Sequence, residues 1–459
     1  MYRKIINILK NKSIAIVGFG KEGRSTYKFI RKYLRNEKIF ILDKNENLII
    51  DSNTLINDTN VKIVLGKDYL KNINDYDIII KSPGISFKKI NINNFKNKIT
   101  SQTNLFLEFC ECKIIGVTGT KGKSTTASII YNIIKTQGYD VYLCGNIGIP
   151  IFDYIDKFKK NSIVIVEMSA YHTEFIKKSP HISIILNLFE EHLDYFESKE
   201  SYFESKLNIF KYQNKNDYAI YSLNNETLSS LVKKNNYNGK LMKIVIAKDL
   251  KGVVNDSVVC DMKNIYLKTN DNLFKLYDVS DSRYLLGKHN LENIMFAFAV
   301  SNILNLDNLL TAKAINDFKP LEHRMEYVGK FNNIIFYNDS IATIPEATIN
   351  CIETLTNVNT LIFGGLDRKI NYSNFVDYLN KSAIKNFICM PETGYKIGKM
   401  LINKNVLYAD SMKKAVLLAY KVTSKNKICL LSPAASSYNS YKNFEEKGKN
   451  YKEMIIELK

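Results

Sequence analysis

The stretch KIIGVTGTKGKST, residues 113–125, decides the fold at the centre of this 459-residue chain. An apolar run leads into a glycine-rich turn, which is followed by a lysine, hydroxyl residues and a helical pattern. The amides of such a turn bind phosphate, the lysine reaches the outer phosphates, and the hydroxyl binds magnesium. The stretch is not a literal P-loop, because its first glycine would fall at Val117 and the nearest is Gly116. We predict an ATP-phosphate site formed by Gly119, Thr120, Lys121, Gly122, Lys123, Ser124 and Thr125.

Similar apolar runs recur along the chain and alternate with helical stretches, which is typical of parallel α/β sheets. They read SIAIVGFG, KIFILD, VKIVLG, DIIIKSPG, SIVIVEMS, ISIILNLF, DYAIYSLN, NTLIFGG, NFICM and KICLLSP. Residues 411–422 and 443–458 have the helical period, whereas residues 235–283 predict a small β insertion. We expect three α/β domains, at residues 1–101, 102–320 and 321–459.

A second phosphate-binding pattern is GFGKEG, residues 18–23, which follows the run SIAIV and precedes a helical stretch. Asp43 ends the next apolar run, at the position where an acidic residue meets a ribose hydroxyl in dinucleotide-binding folds. The pattern fits NAD and other nucleotide diphosphates alike. A strand-to-helix turn without any ligand would use the same glycines, so all three alternatives remain open here.

A candidate metal site lies downstream of the P-loop-like stretch. Glu167 ends the run SIVIVE, His192 lies in NLFEEHLDYF, and Lys206 lies in SYFESKLNIF. An acid at a strand end is what the metal of a P-loop needs. Taken singly, Glu167 is also compatible with a helix-start acid and Lys206 with a solvated helix residue. Taken together, these residues predict a magnesium site.

Composition excludes several classes of protein. The chain is 45% hydrophobic and 24% charged, and it has no apolar run of the ~18 residues that a membrane helix needs. Its start, MYRKIINILKNKS, does not predict a signal peptide. The net charge of +19 comes from scattered lysines rather than from a basic block, so we expect no nucleic-acid partner. The seven cysteines lack paired spacing and predict reduced core thiols of a cytoplasmic protein.

Motifs along the whole chain resemble those of the Mur ligases of peptidoglycan synthesis, in the same order. They are TGTKGKST, EMSAYHTE, NLFEEHLDYF, LLGKHNLEN, LEHRMEYVG, YNDSIAT and SPAASSYNSYKNFEEKG. The motifs YNDSIAT and SPAASSYNSYKNFEEKG are most similar to the D-glutamate-adding members. The resemblance implies a Rossmann-like N-terminal domain that holds UDP rather than NAD, a central P-loop ATPase domain and a Rossmann-like C-terminal domain.

The resemblance also implies roles for individual residues. Catalysis would use Lys123, His192 and Lys206, and two magnesium ions would be held by Ser124, Glu167, His192 and Lys206, the last carried as a carbamate. The further ATP-binding residues would be Asn290, Asn293, Arg324 and Asp339. The UDP substrate would be held by Phe19, Asp43, Ser82, Pro83, Gly84 and Asn146, and the incoming glutamate by Arg368, Ser437 and Phe444.

Two departures from the family pattern bear on specificity. Ile341 stands in NDSIAT where the family commonly has a lysine, so the charged partner is missing or comes from elsewhere, for example from Lys369. The amino acid added is therefore open between D-glutamate and another such as L-glutamate. His172 stands in AYHTE where the family more often has glutamine, a change that the sequence does not explain.

The reaction implied is ATP-driven amide-bond formation through an acyl phosphate, by a monomer acting on UDP-N-acetylmuramoyl-L-alanine without nucleic-acid or membrane partners. Two alternatives belong to other classes. A nicotinamide-dependent oxidoreductase would rest on residues 18–23 alone. The other is a protein of the same fold that binds ATP as a sensor without turnover. The presence of Lys123, Glu167, His192 and Lys206 argues against it. The sequence does not identify the general base that deprotonates the amine. His192 is a candidate by residue type, but a histidine that binds metal cannot easily act as a base as well.

Overall fold

The computed structural model describes residues 2–48, 58–192, 195–250, 252–270, 272–282, 284–285, 287–368 and 370–459. The chain forms three sheets with helices packed against them, which confirms the predicted α/β class. It divides into two compact units. The first contains residues 1–283 and 288–318, and the second contains residues 284–287 and 319–459.

The N-terminal sheet belongs to the first unit and consists of five parallel strands in the order β3-β2-β1-β4-β5. The strands are β1 Ile14–Val17, β2 Ile39–Asp43, β3 Val61–Leu65, β4 Ile78–Lys81 and β5 Ile99–Thr100. The helices with it are α1 Tyr2–Leu9 and α2 Lys21–Tyr33, and short 3-10 turns lie at Ile73–Asp75 and Lys96–Lys98. The sheet order places β1 at the centre, so the turn after it opens between the ends of β2 and β4.

The second sheet of this unit has nine strands in the order β14-β13-β12-β11-β10-β9-β6-β8-β7. The strands are β6 Lys113–Thr118, β7 Val141–Gly145, β8 Ile163–Glu167, β9 Ile182–Ile185, β10 Tyr218–Ser222, β11 Lys240–Ile246, β12 Ser257–Cys260, β13 Asn264–Thr269 and β14 Asn272–Asp278. The helices are α3 Gln102–Phe109, α4 Lys123–Thr136, α5 Ile151–Tyr154, α6 Ala170–Thr173, α7 Lys199–Lys211, α8 Glu226–Lys234, α9 Lys288–Ile303 and α10 Asn308–Asn316, with a 3-10 turn at Val279–Asp281. β6 lies between β8 and β9, so the residues that follow these three strands meet at one edge.

The predicted β insertion at residues 235–283 is strand-rich but is not separate from the sheet. β11 pairs in parallel with β10, with Tyr218 opposite Lys240. β12 continues the sheet in parallel, and β13 and β14 then add antiparallel strands. The strands predicted in this region are therefore present, and they extend the nine-stranded sheet.

The second unit contains a six-stranded sheet in the order β15-β16-β20-β17-β18-β19. Its strands are β15 Glu326–Phe331, β16 Ile334–Asn338, β17 Val358–Gly365, β18 Asn386–Glu392, β19 Asn405–Tyr408 and β20 Ile428–Leu431. Its helices are α11 Pro345–Thr354, α12 Ser373–Lys381, α13 Thr393–Gly398, α14 Met412–Val422 and α15 Phe444–Glu457. The last two confirm the helices predicted at residues 411–422 and 443–458.

Burial follows from the two-sided covering of the sheets. Every residue of β8 and of β17 is buried, as expected of central parallel strands with helices on both faces. All seven cysteines lie in the interior as free thiols. Among the helices of the described residues, none combines the length and the apolar character needed to cross a membrane.

The turn after β1 approaches helix α2 very closely. A β-carbon built on Gly23 would lie 2.1 Å from the carbonyl oxygen of Gly18, which is too short for any contact. Gly18 itself has φ +86°, in the region that favours glycine. The two glycines therefore allow α2 to start directly against the end of β1.

We predict that Gly23→Ala destabilises the first unit by about 1–3 kcal/mol, because the added methyl group must push α2 away from the Gly18 carbonyl. Equilibrium unfolding in urea measures the effect. The matched control is Gly20→Ala, whose β-carbon would meet no atom of the described residues within 4 Å. Equal unfolding midpoints for the two variants would contradict the prediction.

Candidate active site

The predicted phosphate loop lies between β6 and α4. Gly119 has φ +152° and Gly122, the residue that precedes α4, has φ +85°. A β-carbon on Gly119 would lie 2.9 Å from Leu186 Cβ, and one on Gly122 would lie 2.8 Å from Asn293 Oδ1. Both backbone angle and space therefore require glycine, and the loop turns tightly enough for α4 to begin at Lys123.

Asn187 holds this loop, and sequence reasoning missed it. Its Oδ1 accepts hydrogen bonds from the backbone amides of Thr120, at 3.1 Å, and Lys121, at 2.9 Å. Its Nδ2 donates to the Lys121 carbonyl at 3.1 Å. Asn187 follows β9, and its position just after the run ISIIL was the signal that could have found it.

Two lysines converge on one carbonyl of the loop. Lys123 Nζ donates to the carbonyl oxygens of Gly119 and Thr120, at 2.9 Å each. Lys206 Nζ reaches the same Gly119 oxygen at 2.9 Å from helix α7. Lys206 is only 1% exposed, so its interpretation as a solvated helix residue is wrong.

The buried position changes the protonation of Lys206. Burial lowers the pKa of its amine well below the usual value, and the positive charge of Lys123 lowers it further. The charges of Glu191 and Glu167 act in the opposite direction. Tyr202, which sequence reasoning also missed, places its ring 5.0 Å from the Lys206 amine and its hydroxyl 3.2 Å from Thr120 Oγ1. The pocket therefore favours a neutral amine.

A buried carboxylate lies at the end of β8. Glu167 is fully buried, and its Oε1 accepts a hydrogen bond from Asn146 Nδ2 at 2.8 Å. Among the described residues, nothing donates to its other oxygen, Oε2, although that atom is buried as well. A buried carboxylate oxygen without a donor fits a bound cation.

His192, the second predicted metal ligand, lies on a turn with a left-handed backbone conformation. Its φ is +60°, and its ring packs against Tyr171 and Tyr202. Its side chain is 44% exposed, so the imidazole is accessible to a ligand. Within the described parts of the chain, no three His, Cys, Asp or Glu side chains form a metal-binding group, so a magnesium site needs oxygens of other kinds.

The predicted asparagines of α9 meet the phosphate-loop helix. Asn293 Oδ1 accepts a hydrogen bond from Thr126 Oγ1 at 3.0 Å, and Asn293 Nδ2 donates to Asn290 Oδ1 at 3.2 Å. Both side chains are buried. The structure therefore brings together the loop and two of the four further residues predicted to bind ATP.

The N-terminal nucleotide pattern forms a second candidate site at the ends of β1, β2 and β4. Asp43 Oδ2 accepts the Phe19 amide at 2.7 Å, and Ser82 Oγ donates to the Gly18 carbonyl at 2.7 Å. Pro83 and Gly84 continue the same turn. Phe19 is only 2% exposed, so its ring belongs to the core of this unit.

His172 has a local structural role that explains its departure from the family pattern. It occupies the third position of α6, and its Nδ1 lies 3.2 Å from the Ser169 amide and 2.7 Å from Ser169 Oγ. This is a capping box, in which glutamine is a usual residue at the same position. Its Nε2 lies 2.9 Å from Glu22 Oε1, in the turn of residues 18–23.

The second unit places Asp339 at the end of β16. Its carboxylate accepts hydrogen bonds from Ser432 Oγ at 2.9 Å and from the Met325 amide at 3.2 Å. Burial raises the pKa of Asp339 to about 6, although these bonds and the charge of Arg324 act against the rise. Among the described residues nothing accepts from the buried Arg324 Nε.

The residues predicted to hold glutamate lie on three separate segments of this unit. Arg368 is exposed and donates to the Thr343 carbonyl at 2.9 Å. The Ser437 hydroxyl is buried and has no hydrogen-bond partner in the described part of the chain, and Phe444 starts helix α15. Ile341 is half-buried, whereas Lys369 lies outside the described residues.

Lys447 is a buried lysine of this unit that sequence reasoning missed. It is 2% exposed, and its Nζ donates to the Gly364 carbonyl at the end of β17, at 2.7 Å. Burial lowers the pKa of this amine from 10.5 to about 7. Lys447 is the fourth residue of α15, and nothing in the neighbouring sequence distinguishes it from the other lysines of the same helix.

Three protein-family descriptions match successive parts of the chain. The description "Mur ligase MurD-like, N-terminal domain" matches residues 12–101, "Mur ligase middle domain" matches residues 117–301, and "Mur ligase, glutamate ligase domain" matches residues 323–435. The chain belongs to the Mur ligase family, as its motifs predicted.

Relatives of similar length include two D-glutamate ligases from clostridia. A UDP-N-acetylmuramoylalanine–D-glutamate ligase of Clostridium botulinum strain Langeland is 31% identical, over 100% of this chain and 99% of its own. One of Clostridium kluyveri is 31% identical over 98% of both chains. Among solved structures, MurF of Thermotoga maritima in complex with ADP has a TM-score of 0.57 at 17% identity, covering 99% of this chain and 97% of that one. MurC of the same organism has a TM-score of 0.58 at 17% identity, covering 98% and 100%, so these structures support the fold.

We predict that the stability of the second unit rises with pH because of Lys447. In the unfolded chain this amine keeps its proton up to about pH 10.5, whereas in the folded protein it loses it near pH 7. Between these values the unfolded state binds more protons, so stability increases as pH rises and is lost as pH falls toward 7. The measurement is the difference in urea unfolding midpoint between the wild type and Lys447→Met across this range.

The control for Lys447→Met is Lys449→Met, on the same helix, where the side chain is 76% exposed. The difference from wild type should change with pH for the first variant and stay constant for the second. A constant difference for Lys447→Met would refute the burial of a neutral amine.

Proposed function

We propose that this chain is the ligase that joins D-glutamate to UDP-N-acetylmuramoyl-L-alanine with hydrolysis of ATP to ADP and phosphate. The observation that carries the proposal is the convergence of Lys123 and Lys206 on the Gly119 carbonyl. A nicotinamide-dependent oxidoreductase has no use for this arrangement. The relatives named as D-glutamate ligases support the choice of amino acid, and L-glutamate remains the alternative because of Ile341.

The proposed division of labour follows the three predicted domains. Residues 1–101 hold the UDP part of the substrate, residues 102–320 bind ATP, and residues 321–459 bind the incoming amino acid. ATP would contact the loop residues 119–125 together with Asn290, Asn293, Arg324 and Asp339. The amino acid would contact Arg368, Ser437 and Phe444.

The first chemical step makes the alanyl carboxylate reactive. One of its oxygens attacks the γ-phosphorus of ATP, the bond to the β-phosphate oxygen breaks, and ADP leaves an acyl phosphate behind. Charge accumulates on the transferred group, and the Lys123 amine, at the turn of the loop, neutralises it. Asn146, whose Nδ2 donates to Glu167, would orient the alanyl end.

The second step forms the amide bond. The neutral amine of glutamate attacks the acyl carbon and gives a tetrahedral intermediate, phosphate leaves, and the nitrogen releases its extra proton. Phosphate is a far better leaving group than oxide, which is why ATP is needed. The loop and its lysines hold the phosphoryl oxygens through both steps, so the contribution of the chain is mainly positioning and charge neutralisation.

Magnesium fits the residues present. Ser124, Glu167, His192 and Lys206 would hold it, and the buried Glu167 Oε2 without a donor supports this set. When bound, magnesium neutralises phosphate charge. A neutral Lys206 amine can add to carbon dioxide, forming an N–C bond and losing one proton, and the resulting carbamate would supply a carboxylate. Burial of Lys206 supports this modification because it favours the neutral amine.

We further propose that the protein works as a monomer in the cytoplasm, where ATP and UDP-linked precursors are made. Its partners are then small molecules, with neither nucleic acid nor membrane among them. The product would feed peptidoglycan synthesis, on which cell shape and cell division depend.

A ligation assay tests the proposed function. The purified chain receives ATP, magnesium and UDP-N-acetylmuramoyl-L-alanine, with D-glutamate, L-glutamate or other amino acids offered separately. We expect phosphate release and product with D-glutamate, and a loss on the order of 10³-fold in turnover for Lys123→Ala. Lys135→Ala, an exposed change at the far end of the same helix, is the control. Phosphate release without the UDP substrate, or a near-normal Lys123→Ala enzyme, would refute the proposal.

We predict that Lys206→Ala is nearly inactive and that short-chain carboxylic acids partly restore its turnover. The added acid would replace the missing carbamate beside magnesium. Lys211→Ala, an exposed change on the same helix, should keep its activity and gain nothing from the acids. A Lys206→Ala enzyme within a few-fold of wild type would overturn the carbamate role.

A further inference from the structure

A carboxylate lies at the end of helix α2 where the proposed function requires a diphosphate. Glu22 is in the first turn of α2, and the residue that precedes the helix, Gly20, has no side chain to cap it. The N-terminal amides of a helix attract any anion, including the carboxylate of a residue in its own first turn. An unrestrained Glu22 would therefore compete with a diphosphate for these amides and repel it.

Two charged side chains at the start of α2, Lys21 and Glu22, contact residues outside this helix. Lys21 Nζ donates to the Gly148 carbonyl at 3.0 Å, in the loop that also contains Asn146. Glu22 Oε1 lies 2.9 Å from His172 Nε2. Both partners follow strands of the nine-stranded sheet, Gly148 after β7 and His172 after β8, within the same compact unit.

The hydrogen bonds of His172 determine which ring nitrogen carries the proton. The Ser169 amide can only donate, and it lies 3.2 Å from Nδ1, so Nδ1 is the acceptor. The proton of the neutral ring is then on Nε2, which donates to Glu22. His172 is only 4% exposed, so packing keeps the ring in this orientation.

We propose that His172 is a positioning residue that holds the Glu22 carboxylate away from the α2 N-terminus and so leaves its amides to the diphosphate of the UDP substrate. This inference rests on the proposed function, because it needs a nucleotide diphosphate at residues 18–23. It predicts that the effect of losing His172 depends on the charge of Glu22, whereas a His172 that only stabilises the local fold would show no such dependence. Losing His172 harms diphosphate binding through the freed charge of Glu22, and removing that charge restores binding.

The experiment measures UDP binding to the full chain by calorimetry, so it does not depend on turnover. We expect His172→Ala to weaken UDP binding about tenfold, which corresponds to about 1.4 kcal/mol, because the freed Glu22 carboxylate repels the diphosphate. The double variant His172→Ala/Glu22→Gln should recover most of this loss. His172→Gln should bind within about threefold of wild type, because its amide can accept from Ser169 and donate to Glu22.

The matched control is His181→Ala, which removes another histidine of the same unit whose Nδ1 accepts a backbone amide, that of Ile114 at 3.1 Å. It should leave UDP affinity unchanged, and ADP affinity should stay unchanged in the His172 variants. With turnover, His172→Ala should raise KM for the UDP substrate and leave kcat near wild type.

Two results would overturn the inference: UDP affinity unchanged in His172→Ala, or a double variant as weak as His172→Ala alone. The first excludes any role in UDP binding, and the second shows that the loss comes from structure rather than from charge. A wild type that binds UDP but does not ligate would refute the proposed function and leave the inference standing. A wild type that binds no UDP would refute both.

Discussion

The turn from β6 into α4 positions the groups of the central site, because its shape is possible only with glycine at two places. Gly119 and Gly122 have positive φ, and neighbouring atoms occupy the space of their missing side chains. The turn directs the Gly119 carbonyl toward Lys123 and Lys206 and directs the next amides toward Asn187. The positions of the two amines and of the loop amides therefore depend on one steric constraint.

Three buried lysines, Lys81, Lys206 and Lys447, have surroundings that differ in a way that matters for chemistry. Lys81, at the end of β4, lies 3.1 Å from a Glu174 oxygen and donates to the Tyr195 hydroxyl at 2.6 Å. Lys206 and Lys447 instead donate to backbone carbonyls. Burial lowers the pKa of all three amines, and the carboxylate of Glu174 opposes this effect at Lys81.

His172 shows how a local rule and a distant contact combine in one residue. The capping box with Ser169 is local, because it spans only the four consecutive residues from Ser169 to His172. The contact with Glu22 joins residues 150 positions apart, and no local pattern predicts it. The same division applies to residues 235–283, whose strands were predictable while their pairing with β10 was not, because pairing depends on a partner elsewhere in the chain.

The resemblance of its motifs indicated the family, and the sequence by itself determined the alternation of strands and helices, the glycine-rich loop and the candidate residues at strand ends. These follow from local sterics and spacing, since glycine turns, apolar runs and helix starts each involve only a few consecutive residues. Tertiary structure decided that Lys206 is buried, that Asn187 holds the loop and that Lys447 reaches Gly364. Burial and hydrogen-bond partners depend on which distant segments pack together, and so the protonation of these amines could not be deduced from the residues beside them.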